Sequence, residues 1–301
     1  MARSTARSTY PDGMPNDPRW APEPPVDLPP GYVIHVRGRG ELFLRDSGGD
    51  GPPVLLLHGW MFSADLNFWR NYGALQRAGY RVLAIDHRGH GRGIRSHARF
   101  RLTDCATDAA ALLRQIDAAP ALVVGYSMGG PVAQLMARDH ADTVAGMVLC
   151  ATSSHWTDLR QRLLWRSLAI VRLTLGLAPD FAWRNGLRLA GFPDHPITVW
   201  TTSELTRGAS IALAEAGREL SNWDSRDWLG DLEPPAVVVV TERDTGVPPA
   251  HQRELARLLG APVLTVDGDH GAAISAHKKF NPVLIEALEA VAAAAPAFAA
   301  A

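Results

Sequence analysis

Ser127 has the neighbours of a nucleophile. It stands in Gly125-Tyr126-Ser127-Met128-Gly129-Gly130, entered from the apolar run Ala121-Leu122-Val123-Val124, and matches the pattern G-x-S-x-G. A serine hydroxyl is a weak nucleophile that needs an adjacent base. A sharp strand-to-helix turn would expose its Oγ, and the flanking glycines remove side chains that would otherwise collide there. The same turn sets the Met128 N–H near a helix N-terminus, where developing negative charge is favoured.

A base and an acid follow in the chain. After Pro262-Val263-Leu264-Thr265-Val266 comes Asp267-Gly268-Asp269-His270-Gly271. An imidazole there could take the hydroxyl proton near neutral pH and return it to a leaving group. Small residues on either side would let the ring lean over the strand end. His58, His90, His155, His195 and His251 are weaker rivals. After Ala236-Val237-Val238-Val239-Val240 comes Thr241-Glu242-Arg243-Asp244-Thr245-Gly246-Val247-Pro248. Asp244 is the candidate for orienting the imidazole and stabilising its charged form. Glu242, Asp267 and Asp269 remain alternatives. Each polar cluster follows a buried-looking strand, where open α/β sheets put their sites.

Two glycine loops complete the pattern: Leu55-Leu56-Leu57-His58-Gly59-Trp60 and Asp86-His87-Arg88-Gly89-His90-Gly91. With the order Ser, Asp, His, these five motifs make residues 33–292 resemble the α/β-hydrolase superfamily. The resemblance implies a mostly parallel eight-stranded sheet flanked by helices, with an inserted helical cap. It implies Ser127, Asp244 and His270 as catalytic residues. The backbone N–H groups of Trp60 and Met128 would form the oxyanion hole, with Met61 as the alternative to Trp60. His58, Asp86 and the Gly89–Gly91 turn read as loop architecture. One departure is Arg92-Gly93-Ile94-Arg95 ahead of Ser96, where the family often has a serine sooner. That basic bend is expected to reshape the pocket mouth.

After a short hairpin at Val33–Val36 and Glu41–Leu44 the chain alternates strands and helices. Strands are expected at 53–57, 82–86, 121–126, 146–151, 236–241 and 263–267. Their nearly all-apolar character marks strands covered on both faces. Asn281-Pro282 reads as an N-cap and first helical residue, and Gly260 as the end of the helix after Pro249.

The rhythm breaks between 152 and 232, where about 80 residues replace a single connecting helix. The segment has Leu163, Leu164, Leu168, Val171 and Leu175 at helical spacing and carries six of the nine tryptophans: Trp156, Trp165, Trp183, Trp200, Trp223 and Trp228. About half of these are expected in the core and one or two in the pocket. The expected organisation is a Pro-rich flexible arm at 1–30, a core at 31–151 and 233–294, a helical cap at 152–232 and an Ala-rich tail at 295–301. Tyr10 and Trp20 would allow the arm to pack as a strap.

Composition bounds the rest. The 301 residues are 47% hydrophobic with a formal net charge of −1, which gives no electrostatic case for nucleic acid or an anionic membrane. No apolar run approaches the roughly 18 residues of a membrane span, and the basic N-terminus lacks the apolar stretch of a signal peptide. A cytoplasmic location is expected. Cys105 and Cys150 read as unpaired thiols. No metal-ligand spacing occurs, and neither metal nor cofactor is expected.

The leading functional expectation is a serine hydrolase cleaving esters of small to medium apolar acyl or aryl groups. Its expected partner is a small-molecule ester; a homo-oligomer is left open. C–C bond hydrolysis and cofactor-free haloperoxidase-like perhydrolysis use the same three residues. A ligand-binding receptor or scaffold is the non-enzymatic alternative. Dehalogenase and epoxide hydrolase activities are disfavoured, because those family members place Asp where Ser127 stands.

Overall fold

A computed structural model describes residues 23–156, 176–189, 191 and 195–298. Eight strands form one sheet: β1 (Gly31–Val36), β2 (Gly40–Asp46), β3 (Pro53–Leu57), β4 (Arg81–Ile85), β5 (Ala121–Tyr126), β6 (Val144–Cys150), β7 (Ala236–Thr241) and β8 (Val263–Val266). Their spatial order is β1-β2-β4-β3-β5-β6-β7-β8. The β2 strand runs antiparallel to β1 and β4, and the other pairings are parallel. Each expected strand is present within two residues of its anticipated ends.

Strand side chains alternate between the two faces, so an all-apolar strand buries both. Leu55 and Leu57 of β3, Leu83 and Ile85 of β4, and Val238 and Val240 of β7 face one core. Their neighbours Val54, Leu56, Val82, Ala84, Val237 and Val239 face the other. The first core is closed by α3 (Leu102–Gln115), α4 (Gly129–Asp139) and α8 (Pro249–Leu259). The second is closed by α1 (Ala64–Phe68), α2 (Tyr72–Arg77) and α10 (His277–Ala294). Between β6 and β7 lie α5 (Pro179–Leu189), α6 (Pro196–Leu205) and α7 (Ser210–Ser221); α9 (Ala272–Ser275) precedes α10.

The helix at the C-terminus differs from the sequence expectation. It begins at His277, so Pro282 lies inside it rather than at its first position. A proline there forgoes one backbone hydrogen bond. The preceding turn is held by tertiary contacts instead. Phe280 is fully buried, and the Asn281 amide donates to the Arg70 carbonyl at 2.9 Å. Gly260 does end α8, in the left-handed conformation at φ 61°.

The leucine stripe 163–175, Trp165, and residues 1–22 with Tyr10 and Trp20 lie outside the described residues. Of the segment's described tryptophans, Trp156, Trp200 and Trp223 are buried. Trp156 and Trp223 join the first core, and Trp200 packs edge-on against Trp69 with centroids 6.0 Å apart. They fasten the segment to the sheet domain. Cys105 and Cys150 are free and buried. Among the described residues no helix is long and apolar enough to cross a membrane.

Candidate active site

The sheet brings the three expected side chains to one edge, at the C-terminal ends of β5, β7 and β8. Ser127 follows β5 with φ 52°, a left-handed backbone that its surroundings must enforce. Its N–H donates to the Cys150 carbonyl at 3.0 Å, and its own carbonyl accepts from Thr152 Oγ1 at 2.8 Å. The glycines are needed for close approach. A Cβ on Gly125 would lie 2.5 Å from the Gly129 carbonyl oxygen, and one on Gly129 would lie 2.0 Å from that of Leu57.

His270 Nε2 lies 3.0 Å from Ser127 Oγ, and Nδ1 lies 2.8 Å from Asp244 Oδ2. A carboxylate next to Nδ1 favours the tautomer with its proton there, leaving Nε2 to accept from the serine. The Asp244 side chain is fully buried and well supplied with donors. Oδ1 accepts from the N–H groups of Gly246 and Val247, both at 2.8 Å, and Oδ2 accepts from Thr241 Oγ1 at 2.8 Å. The rivals are engaged elsewhere: Glu242 pairs with Arg253, Asp267 with Lys279, and Asp269 receives the Gly271 N–H.

Sequence reasoning missed three supports. Gln252, fully buried on α8, donates to Thr241 Oγ1 at 2.9 Å and to the Val247 carbonyl at 2.8 Å. Thr241 thus links Gln252 to the carboxylate. Tyr126 donates its hydroxyl to the His270 carbonyl at 2.7 Å, tying the histidine loop to the strand that carries Ser127. Adjacency of Tyr126 to the serine was the only signal, and it said nothing of a partner 144 positions away.

The β3 loop packs against the serine. A Cβ on Gly59 would stand 3.3 Å from Ser127 Cβ. His58 Nε2 accepts the His87 N–H at 2.9 Å, so its proton resides on Nδ1 and is donated to the Gly59 carbonyl at 2.8 Å. Across a trans peptide the following N–H points opposite to that carbonyl. The Trp60 N–H is therefore directed away from His58. Its indole N–H donates to the Leu213 carbonyl at 2.8 Å, anchoring this loop to α7.

The basic bend does not shape the pocket mouth as expected. The Arg92 guanidinium turns inward to Glu204 of α6 at 2.6 Å, Asp65 at 3.3 Å and Asp86 at 3.4 Å. Ser63, the N-cap of α1, donates to the other oxygen of Glu204 at 2.8 Å. Arg95 donates to the Gly93 and Arg207 carbonyls. Three buried carboxylates attract the arginine more strongly than solvent at the rim. The outcome is a charged joint between α6 and the loops that carry the site.

His58, His87 and His90 are buried beneath these loops, with centroids of His58 and His87 4.3 Å apart. Burial pushes His58 down to about 4 and His90 down to about 3, and lowers His87 well below the ordinary histidine value. The unfolded chain therefore binds protons below about pH 6.5 that the folded chain refuses. Stability should be fully present above that pH and fall as the pH drops toward 4, by up to about 1.4 kcal/mol per pH unit for each histidine. Urea unfolding followed from pH 7 to pH 5 checks this, and a flat profile would contradict it.

Above Ser127 and His270 lies a cavity of about 800 Å³. Its apolar walls include Leu66 and Trp69 from the core and Leu187, Ile197 and Leu205 from the segment between β6 and β7. None of that segment's described tryptophans lines it; Trp165, also a candidate for the pocket, lies outside the described residues. Trp60 and Trp69 supply the indoles instead.

Comparison with known proteins agrees with this fold. Residues 52–179 match the model of a family described as having the α/β hydrolase fold. Epoxide hydrolase B of Mycobacterium tuberculosis is 40% identical over 121 residues, 38% of this chain; the match spans only 33% of that relative's length. The pimeloyl-[acyl-carrier protein] methyl ester esterase of Vibrio atlanticus is 28% identical, over 70% of this chain and 83% of its own. A non-heme haloperoxidase of Rhodococcus erythropolis is 30% identical over 72% of this chain and 83% of its own. An eight-stranded, mostly parallel sheet, these matches and the site at its C-terminal edge agree: the chain belongs to the α/β-hydrolase family.

Proposed function

We propose that this hydrolase cleaves carboxylic esters of small to medium apolar acyl or aryl groups through an acyl-enzyme on Ser127. The observation that carries the reading is the contact of Ser127 Oγ with His270 Nε2 at 3.0 Å, backed by the buried Asp244, at the floor of an apolar cavity. Ser127 Oγ attacks the ester carbonyl as its proton passes to His270 Nε2. The oxyanion is held by the N–H groups of Met128 and Trp60. Collapse expels the alcohol, which takes the proton from His270. Water, deprotonated by the same ring, then releases the acid and restores the serine.

The methyl ester esterase among the relatives supports this bond type, and the presence of Ser at position 127 disfavours epoxide opening. The haloperoxidase match favours one second reading, in which hydrogen peroxide replaces water and releases a peracid. In both, α5 to α7 act as the cap that supplies the acyl pocket.

A panel of p-nitrophenyl esters from acetate to palmitate tests the reading. Each methylene buried against Leu187, Ile197 and Leu205 should contribute up to about 0.8 kcal/mol, or nearly fourfold in kcat/KM. The expected profile rises from acetyl to medium chains, then falls once the cavity is full. A flat profile, or a fall from acetate onward, would contradict an apolar acyl pocket.

A further inference from the structure

The core arginines meet carboxylates. Arg45 holds Asp65 through Nε at 2.9 Å and Nη2 at 2.7 Å, and Arg88 holds Asp108 through two nitrogens at 2.8 Å. Arg70 lines the cavity above Ser127, and among the described residues no carboxylate pairs with it. Its guanidinium stacks over Trp69, 4.1 Å from the ring centroid. Its Nη1 reaches the His277 ring at 3.2 Å from Nδ1 and 3.4 Å from Nε2. Its Nε is buried and has no hydrogen-bond partner.

A guanidinium carries five N–H donors in a fixed fork that matches a carboxylate. A buried donor without an acceptor is costly. The His277 pKa is lowered by burial and then by the Arg70 charge. Its Nδ1 stands 3.2 Å from the Ile274 carbonyl, which can only accept. An imidazole carries no negative charge, so the ring positions the arginine but cancels none of its charge. Among the described residues, the other ionic side chain on the cavity wall outside the Ser–His pair is Asp269, and its Oδ1 already accepts from the Gly271 N–H at 2.9 Å and Ser275 Oγ at 3.2 Å. Arg70 is thus a cation stacked on Trp69 at the wall of a largely apolar cavity, with no carboxylate partner among the described residues.

We infer that Arg70 determines specificity by receiving a carboxylate carried by the ester substrate, an inference that rests on the esterase reading of the same cavity. The substrate class is then an ester with an apolar stem against Leu66, Trp69 and Ile197 and an anionic end at the guanidinium. Neutral esters would use the stem contacts alone.

The test compares matched pairs that differ only in that end. The first is p-nitrophenyl hexanoate against the monoanion of p-nitrophenyl hydrogen adipate. The second, with the charge on the alcohol side, is phenyl hexanoate against 4-carboxyphenyl hexanoate. In at least one pair, the ratio of kcat/KM for anionic over neutral ester should fall about tenfold or more in Arg70→Gln. Arg70→Lys should recover part of it, since an ammonium keeps the charge without the fork. The neutral ester in each pair reports whether the variant still folds. Ratios within about twofold of wild type in both pairs would overturn the inference while leaving the esterase reading intact. Absence of turnover of all four esters by the wild type would overturn the esterase reading itself and this inference with it.

Discussion

Replacing Ser127 by alanine is expected to lower kcat for p-nitrophenyl hexanoate by a factor on the order of 10⁵–10⁶. The hydroxyl is the only group of that residue directed at His270, and its loss leaves the imidazole with nothing to activate. The fold should survive. The bonds that hold the turn, from the Ser127 N–H to the Cys150 carbonyl and from the Thr152 hydroxyl to the Ser127 carbonyl, do not involve Ser127 Oγ. The glycines that permit the turn are also untouched. Circular dichroism and steady-state turnover on the purified variant make the comparison. More than a few per cent of wild-type activity would remove Ser127 from the nucleophile's role.

Asp244→Asn is expected to cost roughly 10⁴ in kcat, through the tautomer of His270. The geometry says why. Oδ1 accepts two backbone N–H groups at 2.8 Å, so the amide oxygen of an asparagine must take that place. Its NH₂ group then occupies the position of Oδ2, 2.8 Å from His270 Nδ1, and donates to it. Nδ1 becomes an acceptor, the ring proton moves to Nε2, and Nε2 can no longer receive the serine proton. Asp269→Asn, which alters no contact of the ring, should cost far less. Measuring kcat for both variants decides the matter. A reversed order would transfer the acid role to Asp269 and leave the hydrolase reading standing.

The residues that touch one another across this site were legible because each follows a strand. Ser127, Asp244 and His270 each come just after an apolar run, and parallel strands deliver their C-terminal ends to one edge. Strand placement was readable for the same reason: a sheet buried on both faces needs continuous apolar runs, and few other segments have them. The supports were not readable. Gln252 beneath Thr241, Tyr126 against the His270 carbonyl, and Arg92 against Glu204 are contacts between distant positions, and no local pattern marks them. Pro282 shows local chemistry overridden. Asn281-Pro282 has the form of a helix start, yet Phe280 in the second core and the Asn281 amide on the Arg70 carbonyl extend the helix back to His277. The tryptophans met the expectation for the core, with Trp156, Trp200 and Trp223 buried, while none of the described ones reaches the pocket. A large ring that fills a joint between layers contributes more buried area there than on a cavity surface.

The central claim is that Ser127 becomes covalently acylated. A fluorophosphonate probe mimics the tetrahedral intermediate and stays on the nucleophile, so its position can be read by peptide mass spectrometry. The account predicts one adduct per chain on the peptide that carries Ser127, absent from Ser127→Ala and formed in step with the loss of esterase activity. An unlabelled protein that still hydrolyses p-nitrophenyl esters, or an adduct on any other residue, would contradict it.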